Sequence, residues 1–134
     1  MWKVVWADPQ FGETLAIGSF KRKVAVFQSK GQAWSQIAYH FLHDGSVNHV
    51  EWAPPGYGCK LYSAGSDGSV ALLEVKKNNW VSSNFFAHEC SVTSLSIRPL
   101  ALNESGEEQQ GYPMIATSAK DNSIKIWRHT SDIP

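Results

Sequence analysis

The chain has 134 residues, carries no formal net charge at neutral pH, and is 43% hydrophobic with six tryptophans, enough material for about one packed domain. A neutral balance argues against nucleic acid as the main partner, because phosphate binding wants a basic face; the one dense basic run, Lys21-Arg22-Lys23, reads as a solvated turn. No stretch approaches the roughly 18 apolar residues of a membrane-spanning helix, and Cys59 and Cys90 are expected as free thiols in a reducing compartment, since a core this size needs no disulfide.

The N-terminal residues MWKVVWADP read as a strand, not as a signal peptide. Apolar residues then alternate in short runs, a period of two that means strands. The first unit places strands near 3–6, 14–19, 24–28 and 34–41. The pattern returns near 48–52, 60–65, 70–75 and 80–86, and again near 93–97, 114–118 and 123–127. Trp6-Ala7, Trp52-Ala53-Pro54 and Ile97-Arg98-Pro99 mark the same point in three copies, 46 and 45 residues apart. That spacing suits the repeat of about 40–45 residues found in propeller arrays. The units are expected at 1–42, 43–87 and 88–134, the last without a fourth strand.

Asp67-Gly68 and Asp121-Asn122 fall between the second and third strands, where a tight hairpin needs residues that tolerate positive φ. Val70-Ala71-Leu72-Leu73 is apolar on both faces, as a sheet covered on both sides would be. Residues 100–113 are polar and are expected as a surface loop. The sequon at Asn103-Glu104-Ser105 means little without secretion.

Each copy offers four positions for a polar network. A His lies four residues before the first apolar residue of the first strand, a hydroxyl four before the turn Asp, and a large apolar residue six after it. In the third copy these are His88, Thr117, Asp121 and Trp127, so hydrogen bonds could run from indole to hydroxyl to imidazole to carboxylate. The second copy has His43, Ser63 and Asp67 with Leu73 in place of the Trp, and the first, with Ile17, Lys21 and Phe27, has lost the network. Ser, His and Asp together invite a catalytic reading. The trio recurs with the repeat, however, as a folding device does, whereas a triad occurs once and needs an oxyanion site. No GxSxG elbow or P-loop is present, and His88 with Cys90 is too few ligands for zinc. No catalytic, cofactor or metal site is therefore expected. His40, His49 and His129 are singletons, expected at the surface or half-buried on strands.

These residues resemble the WD-repeat family: the loops at His43 and His88, the Ser66-Asp67-Gly68 and Lys120-Asp121-Asn122 turns, and Ile126-Trp127 closing a strand. Within it, WAPPGYG at 52–58, its echo WADPQFG at 6–12, and the insert at 100–113 resemble the middle blades of the Sec-thirteen type of propeller, with the Seh-one type of nuclear-pore propeller as the nearest sibling. Lys21 for the turn Asp and Ile97-Arg98 for Trp-Ala depart from the pattern.

The resemblance implies an all-β WD-repeat β-propeller of three four-stranded antiparallel blades, a partial ring and a fragment of a larger product. It implies a non-catalytic scaffold of the COPII vesicle coat for transport from the endoplasmic reticulum to the Golgi, shared with the outer ring of the nuclear pore. Such propellers have six blades, stay open, and take a further blade from a helical scaffold partner. The expected place is the cytoplasm, at the reticulum membrane through the coat alone, or the nuclear envelope; coat and pore remain alternatives. Self-association through open blade edges is a further expectation. A general WD-repeat adaptor for another complex is the competing reading, and a hydrolase the third.

Overall fold

The computed structural model describes residues 3–19, 22–41, 43–54, 59–77, 79–98 and 114–128. Lys21, residues 55–58, the insert at 100–113 and His129 with the residues after it lie outside the described ones.

Three antiparallel sheets follow one another along the chain. The first is built from β1 (Lys3–Trp6), β2 (Thr14–Gly18), β3 (Lys23–Lys30) and β4 (Ala33–Phe41), and the second from β5 (Val47–Trp52), β6 (Lys60–Gly65), β7 (Ser69–Lys76) and β8 (Asn79–Phe86). The third holds β9 (Val92–Ile97), β10 (Met114–Ala119) and β11 (Ile124–Arg128). Every strand pairs with its neighbour in sequence, so each sheet is a simple meander. Only a short 3-10 turn at Pro9–Phe11 interrupts the strands among the described residues. Among the described residues the fold is all-β, three antiparallel sheets of four, four and three strands.

The register is the same in all three sheets. Trp6 pairs with Leu15 and Leu15 with Phe27. Trp52, Leu61 and Leu73 align in the same way, as do Ile97, Ile115 and Trp127. The turn between second and third strands also repeats, with positive φ at Arg22 (67°), Gly68 (86°) and Asn122 (68°). Glycine and asparagine adopt that conformation at little cost; arginine does not. At Gly68 the turn also presses on its neighbour sheet. A Cβ there would sit 2.3 Å from the His88 carbonyl oxygen, and the Gly68 carbonyl accepts from the N–H groups of Ala87 and His88.

Most strands differ from their expected bounds by a residue or two, and in two of them the reason is visible. β5 starts at Val47, whose N–H donates to the Ser19 carbonyl of the first sheet. β11 starts at Ile124, because Ser123 is held in the turn by Asp121.

The sheets stack face against face. One core layer joins the first two sheets through Val24, Val26, Val50, Leu61 and Leu73, all fully buried, with Trp52 and Trp80 at its margin. A second joins the second and third through Tyr62, Val70, Leu72, Leu95 and Ile115. Strand β7 serves both: Val70, Ala71, Leu72 and Leu73 are all buried, alternating between the two layers. Burying a side chain such as Leu61 or Leu73 contributes about 1.5–3 kcal/mol. The stacking therefore holds the middle sheet most firmly.

Candidate functional site

The polar side chains of each repeat converge where the loop entering a sheet folds back over its second strand. In the second sheet, His43 is 4% exposed and Ser63 wholly buried. His43 Nε2 lies 2.7 Å from the Ser63 hydroxyl. Its Nδ1 lies 2.7 Å from the Ser69 hydroxyl and 3.2 Å from Asp67 Oδ1. The Ser69 hydroxyl donates to Asp67 at 2.8 Å, and the Asp44 N–H donates to the other carboxylate oxygen at 2.9 Å. A carboxylate only accepts, so Nδ1 carries the proton and Nε2 accepts from Ser63.

Burial lowers the His43 pKa below the usual histidine value, against the pull of Asp67, and the ring stays neutral. Burial pushes Asp67 the other way. The bonds from the Asp44 N–H and from the hydroxyl and N–H of Ser69, with the nearby His43, outweigh it and hold the carboxyl below its ordinary range.

The third sheet repeats the arrangement with two changes. The Trp127 indole donates to the Thr117 hydroxyl at 3.1 Å, and that hydroxyl lies 2.7 Å from His88 Nε2. His88 Nδ1 then meets the Ser123 hydroxyl at 3.1 Å, which reaches Asp121 at 2.6 Å. Asp121 thus joins the imidazole through a serine. Its carboxyl is held below the ordinary range by the Ser123 hydroxyl and N–H. In the second sheet Leu73 fills the place of Trp127, so Ser63 receives no indole bond. Ser69 and Ser123 were not anticipated from sequence, although both stand two residues after the turn Asp, and this Asp-x-Ser spacing was the available signal.

The first sheet has Ile17 and Phe27 at the corresponding positions, aligned with Val4 and Leu15. His40 is half-buried on β4. His49 is half-buried on β5, with a buried Nε2 that makes no hydrogen bond, since Glu51 Oε1 is 3.8 Å away. Cys59 and Cys90 are free thiols, and burial raises the Cys59 pKa. Among the described residues, no three His, Cys, Asp or Glu side chains gather as metal ligands, and no helix is long and apolar enough to cross a membrane.

The chemistry the networks can do is limited by where the hydroxyls sit. Ser63 and Thr117 are 0% and 2% exposed, on strands inside a sheet-on-sheet interface. A nucleophile must reach its substrate, and these two cannot. What the networks do reach is backbone: they tie the entering loop, the second strand and the following turn into one unit.

Comparison with known proteins agrees with this architecture. Residues 79–128 match the family described as "WD domain, G-beta repeat". Over 98% of its length the chain is 37% identical to the protein transport protein sec13 of Aspergillus clavatus, covering 49% of that protein. The chain is similar to WD-repeat proteins of the Sec13 kind. It is likewise 37% identical to the protein transport protein SEC13 of Coccidioides immitis, covering 47% of it, and 34% identical to the protein SEC13 homolog of Drosophila melanogaster, covering 40%. It spans about half the length, or less, of the curated relatives it matches.

Proposed function

We propose that this chain is part of a non-catalytic scaffold in a protein-transport coat of the COPII kind, working in the cytoplasm at the surface of the endoplasmic reticulum. The observation that carries the reading is the similarity along 98% of the chain to proteins named for protein transport. The stacked sheets support it, since they offer broad apolar faces for protein partners rather than a cleft for a substrate. The burial of Ser63 and Thr117 supports the non-catalytic part of the reading. The partner class is a long helical coat protein that docks against the propeller. The corresponding scaffold of the nuclear pore has the same needs and is an outcome of the test.

The test is affinity capture from lysate with the tagged chain. Helical coat subunits among the captured proteins support the transport reading, and pore subunits move it to the nuclear envelope. Recovery of chromatin or ubiquitin-ligase subunits instead would assign the chain to a general adaptor role.

A further inference from the structure

The middle sheet has both faces covered and an outer edge that is not. Ala71 and Leu73 are buried against the first sheet at a first joint, and Val70 and Leu72 against the third sheet at a second joint. In the order β5-β6-β7-β8, no strand among the described residues lies beyond β8. This edge belongs to the sheet in the middle of the stack, so it owes nothing to either outer face. β8 reads Asn79-Trp80-Val81-Ser82-Ser83-Asn84-Phe85-Phe86, with no charge, proline or glycine of the kind that blunts an edge. Its register against β7 runs from Lys76 and Asn79 to Ser69 and Phe86 without a bulge.

Lys76 and Asn79 close the β7–β8 hairpin across two residues, so that pair exchanges both backbone bonds and every second pair beyond it does the same. The Ala87 N–H, which donates to the Gly68 carbonyl, continues the series. The residues in between, Trp80, Ser82 and Phe86 among them, turn their N–H and C=O away from β7. The register puts Trp80 and Phe86 on the face of Ala71 and Leu73, toward the first sheet. Phe86 is 76% exposed there, although the sheets on both sides of it are present. About Ser83 the side chains read alike in both directions: Ser82 answers Asn84, Val81 answers Phe85, and Trp80 answers Phe86.

We propose that β8 pairs antiparallel with β8 of a second copy, about a twofold axis through Ser83, so that the two middle sheets join along their edges. The occupant is a second copy because the strand is its own complement. In a twofold contact, if one residue meets another, the second must meet the first. Here Trp80 meets Phe86 of the second copy, Val81 meets Phe85, Ser82 meets Asn84, and Ser83 meets itself. Large side chains oppose large ones and small polar ones oppose small polar ones. The register also sets outward-turned residues opposite outward-turned residues, so each N–H finds a C=O; a slip of one residue would not. The exposed Lys77 at one end of the strand comes beside the exposed Glu89 at the other end of its mate. The outer strand of the first sheet, β4, lacks these properties: a bulge between Val26 and Phe27 interrupts its pairing, and its side chains have no comparable symmetry. The contact uses none of the support for the transport reading.

Sedimentation of the purified 134-residue chain over a range of micromolar concentrations tests the contact, with two variants, Ser83→Glu and Ser83→Lys. The wild type is expected to show a monomer–dimer equilibrium. Each variant alone sets like charges face to face across the twofold axis and should weaken dimerisation about tenfold or more. An equal mixture of the two should recover it to wild-type strength or above, because glutamate then meets lysine. A wild type that stays monomeric overturns the proposal. So does association that both charged variants keep in full, which would lie on another surface, and so does a mixture that recovers nothing. Ser83 is exposed in the single chain, and a cooperative melt checks that each variant folds. Ser82→Pro removes an outward N–H and no bond to β7; it should abolish dimerisation and repeats the test should a charged variant fail to fold.

Discussion

His88 and Trp127 meet on a single oxygen. The Thr117 hydroxyl accepts from the Trp127 indole at 3.1 Å and lies 2.7 Å from His88 Nε2. One direction of donation satisfies every member: indole to Thr117, Thr117 to Nε2, Nδ1 to Ser123, and Ser123 to Asp121. Thr117→Val keeps the shape and removes the shared oxygen, leaving a buried imidazole nitrogen and an indole N–H without partners. The expected loss is about 2–3 kcal/mol. Ser63→Ala strands only His43 Nε2, because Leu73 offers no indole, and should cost about 1 kcal/mol. Denaturant unfolding of the two variants measures the difference, and the order of the losses is the decisive point.

Acid should destabilise the fold in two steps. The His43 pKa is lowered on folding by burial, so the unfolded chain binds a proton first as pH falls. Its contribution is complete above the unfolded value of about 6.5 and is lost as pH drops from there toward the folded pKa. The Asp67 pKa is lowered as well. Its contribution is complete above the unfolded value of about 3.9 and goes as pH falls through the folded one. Melting temperature should therefore decline first below about pH 6.5 and more steeply below about pH 4. His43→Gln should flatten the first decline and leave the second.

Much of this architecture was legible because a repeat states its register several times over. Trp6, Trp52 and Ile97 announce one position, and the runs at Leu15, Leu61 and Ile115 align behind them. Val70 to Leu73, apolar at every residue, could only be a strand covered on both faces. Other features had no such signature. Ser69 and Ser123 look like ordinary turn residues until the turn Asp is seen to hold them against an imidazole. Arg22 gives no hint of its positive φ. The contacts between sheets, Glu51 to Ile97 and Asn48 to Val92, join residues 46 and 44 apart. They depend on how one sheet lies on the next, which strand periodicity does not encode.

Glu51 offers a local probe of that stacking. Its Oε2 accepts from the Ile97 N–H at 3.0 Å, a charged acceptor on a backbone donor of the neighbouring sheet. Glu51→Ala should open this corner of the second joint and cost about 1–2 kcal/mol. Amide exchange at Ile97 should quicken about tenfold while the amide of Leu61, in the first joint, stays protected. Glu51→Gln retains an acceptor and should fall between the two. Equal acceleration at both amides would mean that the stack opens as one unit.

The closeness of the first joint is tested at Gly18. A Cβ at this position would lie 2.7 Å from Val47 Cγ1 and 3.1 Å from Val50 Cγ1, both on fully packed side chains of the second sheet. The corresponding residues in the other sheets are Ala64 and Ser118, so the first joint alone needs a bare backbone here. Gly18→Ala should force the sheets apart and cost about 1–3 kcal/mol. Combining it with Val47→Ala removes the atom in the way, and the double variant should be more stable than the sum of the two single losses implies. Strict additivity would show that the first two sheets do not touch at this point.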